Sequence, residues 1–131
     1  MATDELESSG LIYESAEDFS ESYANNVYFE SSAWDLKLIF GQLDQGEGKV
    51  KIVQHTAVTL PWTQVKLLSY WIKGHLQAHE MANGKVQIPP SIFPPELPPP
   101  TEKLKKSDPN VEAIYALFNR LRNELVSDQK G

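Results

Sequence analysis

Cysteine is absent from the 131 residues of this chain. Disulfide bonds, thiolate nucleophiles and cysteine metal ligands are therefore excluded, and a reducing compartment fits this composition. The acidic residues 1–9 lack the basic region and the apolar run of a signal peptide. No apolar stretch approaches the ~18 residues that a membrane span requires. We therefore expect a cytoplasmic protein that does not bind membranes.

A basic excess is missing as well. The net charge is -6, but residues 1–21 hold seven acidic residues and no Lys or Arg, so the remaining 11 acids and 12 bases nearly balance. A nucleic-acid surface needs clustered positive charge, so no nucleic-acid partner is expected.

Residues 1–20 are predicted to form an acidic disordered tail, because this composition buries too little apolar area. The alternative is a short docking motif, Leu11–Glu14, within an acidic tether.

Three β-strands are predicted between residues 24 and 60. Apolar side chains alternate at Trp34, Leu36, Leu38 and Phe40, which is typical of a half-buried strand. Strands are also expected over residues 24–30 and 50–60, and the two glycines of Asp44–Gly48 indicate a hairpin connection. The alternation in the third strand loses phase near Gln54–His55, which predicts a bulge there.

A long helix is predicted to follow directly. Pro61 suits the first helical position, and Asn83–Gly84 is a typical C-terminal cap. Val65, Leu68, Ile72 and Leu76 recur at three and four residues and form one apolar row. The predicted fold is therefore α+β, an antiparallel three-stranded meander covered by one long helix, with this core domain at residues 21–88.

Seven of the nine prolines lie between residues 89 and 100. Residues 89–106 should form an extended, polyproline II-like arm, followed by a C-terminal helix and tail over residues 107–131, with Asp108 as cap and Pro109 as first helical residue. The arm either packs on the protein's own surface or offers a ligand to an aromatic groove in a partner. We favour the packed arm, because Ile92, Phe93 and Leu97 would be costly to expose.

Between Tyr23 and Gly84 the chain has Tyr23-Ala24-Asn25, a strand ending in Phe40-Gly41, Pro61 before a helix with Lys66-Leu67-Leu68, and a helix end near His79-Glu80. In these features it resembles a small bacterial and archaeal family known as domain of unknown function 3467. This chain departs from the family pattern at Leu60, where a Ser or Thr would cap the helix, an interaction typically worth about 1 kcal/mol. The family has no established activity, so the resemblance implies the fold and no chemistry.

Candidate chemistry is limited to histidine. His75 and His79 lie four residues apart on the helix, a spacing that can share a metal ion, and His55 would be a third candidate ligand. The zinc-protease motif is absent because Leu76 stands where its Glu would follow the first His. Two ordinary histidines near a helix edge explain the pattern more simply, so we expect no metal, no cofactor and no catalytic residues.

Three function classes remain open. The first is a non-enzymatic interaction or assembly module, expected to be a homodimer because two sheet edges need cover. The second is a binder of unfolded segments, since a meander followed by a long helix is similar in outline to the SecB export chaperone. The third is a metal-binding protein or enzyme built on the three histidines. Candidate interaction residues are Ile39, Tyr70, Trp71, Ile92, Phe93 and Leu97, and a protein partner would bind through the arm or the C-terminal helix.

Overall fold

A computed structural model describes residues 10–44, 46–48 and 50–130 of the chain. The order of elements is β1 (Asn26–Ser31), β2 (Asp35–Asp44), β3 (Lys51–Pro61), α1 (Trp62–Asn83), α2 (Glu102–Ser107) and α3 (Val111–Lys130). This arrangement of a three-stranded sheet, a long helix and a C-terminal helix confirms the predicted α+β class. The chain divides into two compact units, and the boundary between Lys73 and Gly74 lies within α1.

The three strands form an antiparallel sheet in the order β1-β2-β3. Phe29 pairs with Leu38, and Leu38 pairs in turn with Val58, so the three side chains share one face of the sheet. We call this side the apolar face; its members are Val27, Phe29, Leu36, Leu38, Phe40, Val58 and Leu60. The opposite face carries the ion pair between Lys37 and Glu30, with 3.6 Å between Nζ and Oε1. The predicted alternation is therefore confirmed.

A bulge interrupts the pairing of β2 with β3, as the phase change predicted. Phe40 pairs with Thr56 and Gly41 with Gln54, so His55 has no opposite residue. The two backbones approach closely at Gly41, where a Cβ atom would lie 2.7 Å from the carbonyl oxygen of Val53. Only glycine fits at this position without a shift of the neighbouring strand.

The hairpin predicted at Asp44–Gly48 is present, with a 3-10 turn over Gly46–Gly48. The amide of Gly46 donates to the Asp44 carboxylate at 2.9 Å, which closes the start of the turn. Residue 45 of the predicted connection lies outside the described residues.

The long helix begins one residue later than predicted. Pro61 is the last residue of β3, and α1 starts at Trp62 with no loop residue between them. The Trp62 indole Nε1 donates to the carbonyl oxygen of Ser32 at 3.0 Å, which ties the start of α1 to the β1–β2 turn. The Ser32 hydroxyl in turn accepts the amide of Asp35 at 3.1 Å and so orders that turn.

The position of α1 differs from the prediction. Within this chain, α1 does not cover the apolar face. No residue of α1 is buried, and Ile72, at the centre of its apolar row, is 55% exposed. Phe29 and Val58 of the apolar face are 55% and 44% exposed, and Leu38 is the buried side chain of the described sheet. The physical reason is the missing loop, since the chain has no residues with which to turn back across its own sheet.

The second unit contains the arm, α2 and α3. The backbone angles at Pro89 (φ -58°, ψ 136°) and Phe93 (φ -60°, ψ 139°) are those of polyproline II, as predicted, on either side of a 3-10 turn at Pro90–Ile92. Thr101 caps α2 by accepting the amide of Leu104, and this helix was not predicted. Asp108 accepts the amide of Asn110 at 2.9 Å, so the cap precedes a helix that starts at Val111 rather than at Pro109.

Candidate interaction surfaces

The apolar face is an uncovered apolar surface of the sheet. Alternation along each strand places its seven side chains on one side, and the register brings them together in three rows. Leu36, Phe40 and Leu60 are half-buried beside the buried Leu38. Trp34, which the alternation assigned to this face, lies just before β2 and is 83% exposed. A sheet face of this composition is normally packed against a second layer.

Two rows of apolar side chains run along α1. The first, the Leu68 row, consists of Val65, Leu68, Ile72 and Leu76, and the second, the Trp71 row, consists of Leu67, Tyr70 and Trp71. The rings of Tyr70 and Trp71 stack edge to face with centroids 5.1 Å apart. Tyr70 and Trp71, the two predicted interaction residues in this helix, are both exposed. A helix that is apolar on more than one side is normally buried, and this one is not.

The remaining candidate interaction residues lie in different settings. Ile39 is half-buried on the side of β2 opposite the apolar face, where it pairs with Ala57. In the arm, Ile92 is exposed whereas Phe93 and Leu97 are half-buried. Ile39 and Leu97 therefore offer less free surface than the residues of α1.

The arm is held along α3 by hydrogen bonds that sequence analysis did not foresee. The amide of Asn119 bridges both backbone groups of Leu97, accepting from its N–H at 2.8 Å and donating to its carbonyl at 3.2 Å. Gln129 bridges the N–H of Ile88 and the carbonyl of Val86 in the same way. Extended chain between prolines has no internal hydrogen bonds, so these side chains supply the partners that its backbone lacks.

Two further contacts reinforce this packing. The guanidinium Nε of Arg122 donates to the carbonyl of Pro94 at 2.9 Å. Lys85 pairs with Asp128, with 3.3 Å between Nζ and Oδ1. Several apolar side chains of α3 remain exposed, namely Ile114, Leu117, Phe118 and Leu121.

His55 lines a small cleft beside the bulge. The cleft has a volume of about 250 Å³ and is lined by Ser20, Ser22, Ala24, Phe40, His55 and Thr56. The ring Nε2 of His55 lies 3.0 Å from the carbonyl of Tyr23 and must donate to it, and Nδ1 then accepts from the Thr56 hydroxyl at 2.8 Å. Both ring nitrogens are thus engaged, and their role here is to fasten residue 23 to the sheet.

The other two histidines lie in α1. His75 and His79 are exposed, and Nδ1 of His79 lies 3.3 Å from the Asn83 amide nitrogen. Across the residues that the structure describes, no three His, Asp or Glu side chains are grouped closely enough to hold a metal ion. The two helical histidines consequently have no third ligand in that part of the chain.

Within the described ranges, no helix combines the length and the apolar character needed to cross a lipid bilayer.

The sequence profile of a family described as protein of unknown function (DUF3467) matches residues 5–88, and the chain belongs to this family. The match includes all three strands and α1, and it confirms the resemblance seen between Tyr23 and Gly84. Neither the curated proteins nor the solved structures contain a match to this chain.

Proposed function

We propose that this chain is a non-enzymatic assembly module that acts as a homodimer. The observation that carries the proposal is the open apolar face, in which Phe29 and Val58 are about half exposed around the buried Leu38. Contiguous apolar surface of more than a few hundred Å² marks an interaction site in soluble domains. Closed two-fold dimers are the commonest way in which identical chains cover such a surface.

The exposed area agrees with the size of a stable dimer interface. A fully buried aromatic side chain contributes about 150–250 Å², so each half-exposed Phe or Trp still offers roughly 100 Å². The side chains that are about half exposed on the apolar face and on α1 are Val27, Phe29, Val58, Leu67, Trp71, Ile72 and Leu76. Together they offer on the order of several hundred Å² per copy, which approaches the ~800 Å² that each partner buries in a standard interface.

A matched pair of substitutions tests the proposal. Phe29 and Tyr28 are neighbours in β1, both are 55% exposed, and they point to opposite faces of the sheet. In light scattering at micromolar concentration the native chain should have twice the mass of 14.8 kDa. Phe29→Lys should shift the chain to monomer, because a desolvated ammonium is costly, whereas Tyr28→Lys should remain dimeric. A native chain that stays at 14.8 kDa would contradict the proposal.

A second candidate function is the capture of unfolded segments, which the same open surface favours. Trp34 is almost fully exposed beside the apolar face, so its fluorescence would report a bound extended chain. Saturable binding of an unfolded protein, abolished by Phe29→Lys and unaffected by Tyr28→Lys, would support this function. Binding that is unchanged by both substitutions would contradict a role in the capture of unfolded segments.

A further inference from the structure

We infer that the two copies exchange their long helices, so that α1 of each copy lies on the apolar face of the other copy's sheet. The inference rests on the proposed homodimer and adds which surfaces meet in it. It accounts for the exposed apolar face of the sheet and the exposed Leu68 row of α1 in the same chain. In the exchanged dimer, the sheet of one copy and the helix of the other form the two layers of one packed unit.

The junction between β3 and α1 prevents the same packing within one chain. Connections between a strand and a helix packed on the same sheet usually need about 2–6 loop residues. Here Pro61 ends the strand, Trp62 begins the helix, and the fixed φ of proline further stiffens the junction. The hydrogen bond from Trp62 to Ser32 then holds the first turn of α1 beside the β1–β2 turn. A second copy can supply a helix to this face without any change at its own junction.

The two surfaces match in length and in character. The Leu68 row, from Val65 to Leu76, spans about 17 Å at 1.5 Å per residue, and the apolar face along β2, from Leu36 to Phe40, spans about 14 Å at 3.4 Å per residue. The apolar face and the Leu68 row carry no charged side chain. The Leu68 row is therefore long enough to cover the apolar part of the central strand, with Leu68 and Ile72 opposite Leu38.

The Trp71 row is explained by the same symmetry. In a two-fold dimer that exchanges α1, the two helices lie near the axis, and the row turned away from the partner's sheet faces the partner's helix. Leu67 and Trp71, which are 51% and 52% exposed, would pack there. Helix exchange thus covers both apolar sides of α1, as expected for a helix that is apolar on more than one side.

Cysteine crosslinking tests the exchange directly, because the native chain has no cysteine that could give a background signal. Val58→Cys and Ile72→Cys are introduced into separate chains, which are unfolded, mixed, refolded together and treated with a short thiol crosslinker. Exchange predicts a covalent heterodimer on a denaturing gel, and neither single variant alone should give more than a minor product. The control replaces Val58→Cys by Thr59→Cys, which places the thiol on the opposite face and should abolish the product.

The double variant Val58→Cys/Ile72→Cys separates the possible outcomes. Covalent dimers from a native dimer support the exchange. Crosslinking within single chains of a native dimer overturns the exchange and leaves the homodimer proposal intact. A native monomer overturns both, and a native dimer with no crosslink means that another surface forms the interface. If this variant fails to fold, the pair Phe29→Cys and Leu68→Cys examines the same two surfaces and is read in the same way.

Discussion

The close approach at Gly41 makes Gly41→Ala the most informative single substitution for the sheet. An added Cβ would lie 2.7 Å from the Val53 carbonyl oxygen and 3.1 Å from Cα of Gln54, so it would meet backbone rather than a movable side chain. Strand β3 would have to move away from β2 beside the bulge and lengthen its hydrogen bonds. Overpacking of this kind costs about 1–3 kcal/mol. Urea unfolding should show this loss, and the two chains are compared at the same protein concentration because the proposed dimer would unfold in a concentration-dependent way.

Gly74→Ala is the matched control, because it adds the same methyl group elsewhere in the chain. Gly74 lies within α1, and nothing lies within 4 Å of the position that its Cβ would take. Alanine in a helix interior is favoured over glycine by roughly 0.5–1 kcal/mol, so this variant should be more stable than the native chain at a protein concentration that keeps both chains monomeric. If Gly41→Ala were also neutral or stabilising, the bulge geometry derived for His55 would be wrong.

Three further predictions concern the core, the arm and metal ions. Leu38→Ala should cost about 2–5 kcal/mol in urea unfolding, and a loss below about 1 kcal/mol would mean that nothing packs on the apolar face, a second copy included. Asn119→Ala should cost about 1–3 kcal/mol, because it leaves both backbone groups of Leu97 without partners, and amide exchange at Leu97 should accelerate; unchanged exchange would rule out the bridge. A chelator should leave the melting temperature unchanged, and a loss of several degrees would reveal a structural metal site.

The sheet could be predicted from the sequence because its signals are local. Alternation at Leu36, Leu38 and Phe40 indicated the face of β2, and the loss of phase near His55 indicated the bulge. Both features are set by side chains within a few positions of one another. The end of α1 at Asn83 is also local, and Gly84 follows it with a φ of 89°, as expected for a C-terminal cap.

The packing of α1 could not be predicted in the same way. The Leu68 row shows that one side of the helix must be covered, but periodicity does not state which chain provides the cover. The direct succession of strand and helix at Pro61 was already visible in the sequence, but only the structure shows that α1 then leaves the apolar face uncovered. Helix α2 was missed because the prolines before it favoured extended chain and only Thr101 signalled a start.

The contacts of the arm argue against a partner that binds it through an aromatic groove. An aromatic groove that binds polyproline II needs the arm's prolines and carbonyl oxygens free. Here the carbonyls of Pro94 and Leu97 already accept hydrogen bonds from Arg122 and Asn119 of α3. A partner would have to replace these bonds, each worth about 0.5–1.5 kcal/mol, before it gained anything. The described arm is therefore better explained as a brace for its own helix, and the exposed apolar side chains of α3, such as Phe118, are more accessible to a partner than the arm.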